Sequence, residues 1–287
     1  MFSSSKVRYL LWCLAHCCMH ARNTCPNCGA ADSSVVSRKH VVSALKRCRE
    51  CFLLFRTPTT DSAENAQYYQ SAYEQGTTTE LPDDDQLQRM TASRFAGTDL
   101  DRFDSIEIIR ALGGRDSTKI FDYGCSWGYG AWQFQQAGFD VRAYEISMPR
   151  SQFAARKLGV QIMEPANVAA ESFDFVYSSH VIEHVPCPRA MLAEGLRMLR
   201  PGGFFVSLTP NGSMHFRKTD KRGWQQSWGE VHPQLICEKW IGSAAGSLPY
   251  FVSSMPVNLE SLSRWHSERI VAGELDQPHL FFVIRKG

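Results

Sequence analysis

The chain has 287 residues, 44% of them hydrophobic and 21% charged, a globular composition that excludes a disordered chain, a collagen-like repeat and a disulfide-stapled miniprotein. Seven of its ten cysteines fall within the first 51 residues, and residues 1–60 carry nine Lys/Arg against two Asp/Glu, net +7, leaving 22 against 27, net −5, for the remainder. The length suits one large domain plus a small module, and the two ends differ in chemistry.

Residues 1–22 read as an N-terminal helix. Its apolar run, Val7 to Ala21, follows Lys6 and is interrupted by His16 and His20, so it falls short of the roughly 20 apolar residues of a membrane span. An amphipathic helix packed on its own protein is the plain reading; a helix in peripheral contact with a membrane surface and a signal peptide are the alternatives. Cys13, Cys17 and Cys18 match no ligand spacing and read as packing thiols.

Cys25-Pro26-Asn27-Cys28 and Cys48-Arg49-Glu50-Cys51 form a C-x2-C-x19-C-x2-C pattern. Two such turns can aim four thiolates at one point, the closed tetrahedral shell of a structural Zn²⁺. Residues 23–60 are therefore expected as a zinc ribbon with Cys25, Cys28, Cys48 and Cys51 as ligands, the metal standing in for the core that so short a segment lacks. Arg38, Lys39, Lys46, Arg47 and Arg49 make a basic patch, either a solvated surface or a contact for a phosphorylated or nucleic-acid partner.

Residues 61–115 read as a helical linker or cap. Helical patterns run from Asp61 to Gly76 and from Asp83 to Leu112, with a break from Thr77 to Pro82. Tyr68, Tyr69, Tyr73, Phe95, Phe103, Ile106 and Ile109 mark their apolar faces, and Gly113-Gly114 ends the second pattern. From residue 116 onward the period alternates: strands at 119–123, 140–145, 160–163, 173–179, 203–209 and 279–285 are interleaved with helices at 129–137, 149–158 and 189–199. That alternation predicts an α/β fold, a Rossmann-like sheet flanked by helices, over 116–287.

The first of these strands runs into Asp122-Tyr123-Gly124-Cys125-Ser126-Trp127-Gly128. Glycines at a strand-to-helix turn let backbone approach a ligand, and Glu145, 21 residues beyond Gly124, ends the second strand where a carboxylate can accept both hydroxyls of a ribose. Asp122 would repel a pyrophosphate but attract an ammonium group, so a cationic nucleoside suits the site better than a dinucleotide.

On these motifs residues 119–287 resemble a class I S-adenosylmethionine-dependent methyltransferase. The match includes Asp122-x-Gly124-Cys125-x-x-Gly128, Glu145, the fourth-strand segment Phe173 to Val185, and Leu199-Arg200-Pro201-Gly202-Gly203. The resemblance implies a seven-stranded sheet. It also implies S-adenosylmethionine as cofactor, with Gly124 and Gly128 along its methionine part, Asp122 toward its amino group, Glu145 on its ribose, and Cys125 and Ser178 in the adjoining loop and strand.

Methyl transfer from a sulfonium is an in-line displacement, and a base is needed only where the acceptor carries a proton. His184, Glu183 and His180 follow strand four at the ligand-binding end of the sheet. Three readings of His184 stand: general base, structural histidine, and metal ligand. The third resembles the Glu-x-x-Glu-His motif of Mg²⁺-dependent ubiquinone-biosynthesis and small-RNA 2′-O-methyltransferases, but His180 replaces its first Glu, which disfavours a hard cation.

The insertion 210–234 is expected to roof the acceptor, with Trp224 and Trp228 as apolar walls, His232 beside them, and Arg217, Lys218, Lys221 and Arg222 facing an anionic group. Its Thr-Pro-Asn and His-Pro turns resemble methyltransferases of bacterial surface-polysaccharide and nucleotide-sugar pathways. The front of the chain resembles deoxysugar C-methyltransferases, which continue into a domain that 287 residues do not accommodate.

The resulting expectation is a cytoplasmic enzyme that O-methylates a hydroxyl of a sugar, glycolipid or related anionic metabolite, a small-molecule or glycan acceptor. An RNA methyltransferase reading nucleic acid through the basic ribbon and a non-catalytic zinc-ribbon binding protein are the alternatives. Oligomeric state has no signature in the sequence.

Overall fold

The computed structural model describes residues 4–71 and 79–287. Tyr73, Gly76 and Thr77, used above to mark a helical face and its break, lie outside the described residues.

The chain opens with α1 (Ser4–His16), then an antiparallel hairpin of β1 (Ser33–Lys39) and β2 (Ser43–Cys48), and β3 (Leu54–Thr57). Helix α1 packs on this sheet: Cys13 is buried, and the Arg56 guanidinium lies 5.4 Å from the ring centres of both Tyr9 and Trp12. That agrees with an amphipathic helix seated on its own protein, although Val7, Leu11 and Leu14 stay exposed. No helix among the described residues is long and apolar enough to cross a membrane.

Three helices follow: α2 (Ser62–Ser71), α3 (Asp84–Ala92) and α4 (Phe103–Ala111). The helical pattern expected from Asp83 to Leu112 is thus two helices. Arg94, Phe95 and Gly97 take positive φ and turn the chain between them, with Phe95 buried at the turn. Phe103, assigned to an apolar face, is 63% exposed.

The catalytic half then alternates β4 (Lys119–Tyr123), α5 (Tyr129–Gln136), β5 (Asp140–Tyr144), α6 (Met148–Leu158), β6 (Gln161–Ile162), β7 (Phe173–Ser179), α7 (Pro188–Met198) and β8 (Leu199–Pro210). Past β8 come α8 (Met214–Thr219), α9 (Lys221–Gln226), β9 (Gln234–Leu235), α10 (Glu238–Ala245), β10 (Tyr250–Ser254), α11 (Leu259–Ser263), β11 (Arg269–Val271) and β12 (His279–Arg285). The large sheet has the order β11-β10-β12-β8-β7-β4-β5-β6. Strands β6 through β8 are parallel, and β12 inserts antiparallel to both β8 and β10. The expected seven strands are therefore eight, because Arg269–Val271 adds in parallel to the outer edge of β10. It is too short to carry a legible alternation.

Period-2 alternation builds the core on both faces of this sheet. Phe121, Val176, Phe282 and Ile284 join α7 and α10 on one side; Ile120, Phe175, Tyr177, Phe281 and Val283 join α4, α5 and α6 on the other. A second, four-stranded sheet has the order β1-β2-β3-β9, so its last strand comes from the far end of the 210–234 insertion.

Candidate functional site

A cavity of about 780 Å³ opens at the carboxyl ends of β4, β5, β7 and β8, the ligand end of such sheets. One end is lined by Gly124, Ser126, Glu145, Arg150, Arg102 and Tyr129, the other by His180, His184, His232, His279, Tyr69 and Met255.

At the first end, the Glu145 carboxylate is tied at both oxygens: Ser126 N–H donates to Oε2 at 3.0 Å and Ser147 N–H to Oε1 at 2.9 Å, with the Arg150 guanidinium 3.6 Å away. Burial pushes Glu145 up, opposed by Ser147, Arg150 and Ser126. Asp122 is buried behind the turn; burial raises it to about 7, with Arg102 opposing and Glu145 adding to the rise. Asp122 itself does not line the cavity; a cation's charge close by would favour its ionised form.

Sequence reasoning missed Arg102. Its Nη2 donates to the Tyr129 hydroxyl at 2.7 Å and its Nη1 to the Asp101 carbonyl at 2.9 Å. It precedes α4, far from the glycine motif in sequence, and only the fold carries it there.

The glycines of the motif have a packing cause. Both Gly124 and Gly128 have φ of +91°, and a Cβ at Gly124 would stand 2.3 Å from Val181 Cγ2, one at Gly128 2.7 Å from Ala154 Cβ. Bringing the β7–α7 turn onto the loop, and α6 onto α5, requires these absences. Gly128 and Cys125 do not line the cavity, and the Cys125 thiol is buried with its Sγ 3.5 Å from the Ser126 carbonyl. Ser178 is also fully buried away from the cavity. Its neighbour Ser179 lines it instead, as alternation along β7 requires.

At the second end, Glu183 is fully buried; its Oε2 accepts from the Thr209 hydroxyl at 3.0 Å, and its Oε1 lies 3.2 Å from His180 Nδ1 and 3.8 Å from His184 Nε2. Burial works against its charge, but the imidazoles of His180 and His184 outweigh it and hold the carboxyl down to about 2. His184 Nδ1 sits 2.8 Å from the Val231 carbonyl and His232 Nδ1 3.0 Å from the Ser227 carbonyl. A carbonyl only accepts, so in each ring Nδ1 carries the proton and Nε2 the lone pair. Burial lowers His184 to about 4 and lowers His232 as well, which keeps both rings neutral near neutral pH. The rings are 4.7 Å apart, and Tyr69 meets His184 edge-on at 5.9 Å. His180 has a φ of +55°, strain of the kind that clusters at functional sites.

Glu183, His184 and His232 bring their ligand atoms within 4.8 Å of one another and can hold a metal ion. One carboxylate with two imidazoles suits a borderline transition metal and does not fit Mg²⁺, which takes oxygen ligands. Cys25, Cys28, Cys48 and Cys51 likewise converge within 4.8 Å, with sulfur pairs at 3.6 and 3.5 Å. Bonds of about 2.3 Å in a tetrahedral zinc site would set the sulfurs about 3.8 Å apart, so the four thiols fit that ion.

The lid departs from expectation. Trp224 and Trp228 are buried with Phe216, Leu235, Leu45 and Leu54, between the insertion and the small sheet, and do not line the cavity. The reading of the two as acceptor walls is corrected: indole rings bury most area against β2 and β3, which the sequence could not place beneath them. Arg217 is also outside the cavity. It donates to the Val36 carbonyl at 3.0 Å and stacks 4.9 Å from the Trp224 ring. Lys218, Lys221 and Arg222 are absent from the cavity lining, so the expected cluster of cations facing the acceptor does not form there.

Residues 92–241 match the family model of a methyltransferase domain. Over 117 residues the chain is 30% identical to the ubiquinone biosynthesis O-methyltransferase of Citrobacter koseri, covering 37% of this chain and 48% of that protein. Its counterpart in Escherichia coli K12 is 29% identical over 117 residues, covering 37% and 49%. The chain thus spans about half the length of these curated relatives. Among solved structures, geranyl diphosphate methyltransferase in complex with GPP and sinefungin is 16% identical, covers 78% of this chain and 98% of its own, and has a TM-score of 0.52, a likeness of fold. With the mixed sheet, the glycine turn and the two acids at its ligand end, the chain belongs to the methyltransferase-domain family as a class I S-adenosylmethionine-dependent methyltransferase.

Proposed function

We propose that this enzyme O-methylates a hydroxyl of a small hydroxylated metabolite, with a sugar or glycolipid headgroup as the acceptor class. The observation that carries this reading is one cavity with Glu145 and Arg102 at one end and neutral His184 and His232 beside ionised Glu183 at the other. S-adenosylmethionine supplies a methyl group on a sulfonium. Glu145 holds its ribose, Asp122 faces its ammonium, and Arg102 meets its carboxylate. Gly124, Gly128, Cys125 and Ser178 shape the loop and strand around it. His184 presents the Nε2 lone pair as base to the acceptor hydroxyl, and Glu183 offsets the positive charge that forms on the ring. The relatives named O-methyltransferases support oxygen as the acceptor atom.

A second reading has the same observations behind it: Glu183, His184 and His232 would hold a transition metal, which would supply Lewis-acid chemistry to an acceptor oxygen in place of a base. Residues 23–60 are assigned as a structural zinc ribbon on the convergence of their four thiols. Fewer than one zinc per chain in the purified protein refutes that assignment. A cytoplasmic location and peripheral membrane contact through α1 belong to the same proposal.

The test is an acceptor screen with methyl-labelled S-adenosylmethionine against nucleotide sugars, lipid-linked saccharides and RNA. A labelled methyl ether on a saccharide is the expected product. Label on RNA alone, with salt-dependent RNA binding, establishes the nucleic-acid alternative instead. Absent S-adenosylmethionine binding with retained partner binding establishes the non-catalytic binding protein.

A further inference from the structure

The four-cysteine module is built into the wall of the acceptor site. Strand β9 has two residues and cannot stand alone, and it is gripped from two sides. On one, Leu235 and Gln234 pair with Leu54 and Phe55 of β3, and Arg56 N–H donates to the Pro233 carbonyl at 2.7 Å. On the other, Gln234 N–H donates to the Glu183 carbonyl at 3.2 Å, and its side-chain amide to the Pro186 carbonyl at 3.3 Å. Strand β3, β9 and the turn that carries Glu183 and His184 are therefore consecutive layers.

Both cysteine turns feed this stack. Cys48 N–H donates to the Leu53 carbonyl at 2.9 Å, closing the second turn directly into β3. Within the first, Asn27 Oδ1 accepts from Arg189 N–H at 2.9 Å, at the start of α7. The lid is tied to the same sheet: Ser37 Oγ donates to Gln225 Oε1 at 2.5 Å, Lys39 donates to the Trp228 carbonyl, and Trp224 and Trp228 bury against Leu45 and Leu54. His232 hangs from this lid through the Ser227 carbonyl, and His184 through Val231. The polar partners of the Glu145 and Arg102 side chains, by contrast, are Ser126, Ser147, Arg150, Tyr129, Asp101 and Asp99, all outside 23–60.

We infer that the ribbon is the scaffold of the acceptor lid, so that metal at its four cysteines sets the position of His184 and His232 while leaving the cofactor end unaffected. This rests on the zinc and acceptor-lid readings above. It assigns the module a specificity role, holding one end of the cavity, rather than a separate binding function.

The experiment is hydrogen exchange with mass spectrometry on the whole chain, alongside calorimetry with S-adenosylhomocysteine. It compares metal-loaded protein, chelator-treated protein, and Leu54→Ala and Ser37→Ala proteins with metal retained. Expected are exchange rates over 183–189 and 213–237 raised about tenfold by chelation and by Leu54→Ala, and less by Ser37→Ala. S-adenosylhomocysteine affinity should stay within about twofold, since no residue of 23–60 hydrogen-bonds the Glu145 or Arg102 side chain, and zinc should restore slow exchange to the chelated protein. Unchanged exchange in these segments in Leu54→Ala, or acceleration spread evenly over the large sheet with lost S-adenosylhomocysteine binding in Ser37→Ala, overturns the inference. Absence of zinc in the purified protein defeats the zinc reading and with it the metal's part in the inference, while the two variants still decide the coupling of sheet and lid.

Discussion

Burial raises both Asp122 and Glu145, but only Glu145 lines the cavity. Glu145 is held by two backbone N–H groups, so Glu145→Ala removes a prearranged acceptor and should weaken S-adenosylhomocysteine binding by about 1 to 3 kcal/mol in calorimetry. Asp122 titrates near 7, above its ordinary value near 4. The unliganded fold therefore keeps this residue's contribution below about pH 4 and loses it as pH rises to about 7, because the unfolded chain releases the proton first. A cationic ligand reverses the preference. Cofactor affinity should rise with pH up to about 7 and then level, and Asp122→Asn should flatten that rise. For His184, proton removal from the acceptor predicts a roughly 10²- to 10⁴-fold fall in turnover for His184→Ala with cofactor affinity retained. Turnover at the parent rate would make it a structural histidine. The sequence marked Asp122, Glu145 and His184 because each ends or follows a strand in a short-range motif. Arg102 and His279 had no such signal: they enter the cavity from elements remote in sequence.

The elements that position the site were legible where local chemistry repeats. Strands β4, β5, β7 and β12 stand where hydrophobic runs predicted them, and the glycine turn between β4 and α5 has the positive φ its composition implied. Helix α3 carries a capping box, with Gln86 N–H donating to the Asp83 carboxylate at 2.7 Å and Asp83 N–H to Gln86 Oε1 at 2.9 Å. Asp83→Ala should lower stability by about 1 kcal/mol, read as a shifted denaturation midpoint with cofactor affinity unchanged. The break between α3 and α4 and the short strands β9 and β11 were not legible. Arg94 and Phe95 adopt positive φ without the glycine that usually marks it, and two- or three-residue strands show no period. The lid tryptophans follow the same logic. The length of the insertion marked it as functional, but what its tryptophans bury against is decided by β2 and β3, more than 160 residues earlier.

The whole molecule joins a basic, cysteine-rich front to an acidic catalytic half through one shared lid. A ligand bound to the folded state alone stabilises it by mass action, about 2.7 kcal/mol at 100 times its dissociation constant. Saturating S-adenosylhomocysteine should therefore raise the melting temperature by several degrees, on the order of 2 to 4 °C per kcal/mol, and Glu145→Ala should shrink that rise. The sequence by itself determined the α/β class, the methyltransferase motifs and the four convergent cysteines, because hydrophobic period, turn glycines and ligand spacing are properties of neighbouring residues. Only the tertiary structure decided that the cysteine module packs on the 210–234 insertion, that Arg102 lines the same cavity as Glu145, and that Trp224 and Trp228 form a seam instead of a wall. Those arrangements depend on which distant surfaces meet, and burial of apolar area across the whole chain selects them.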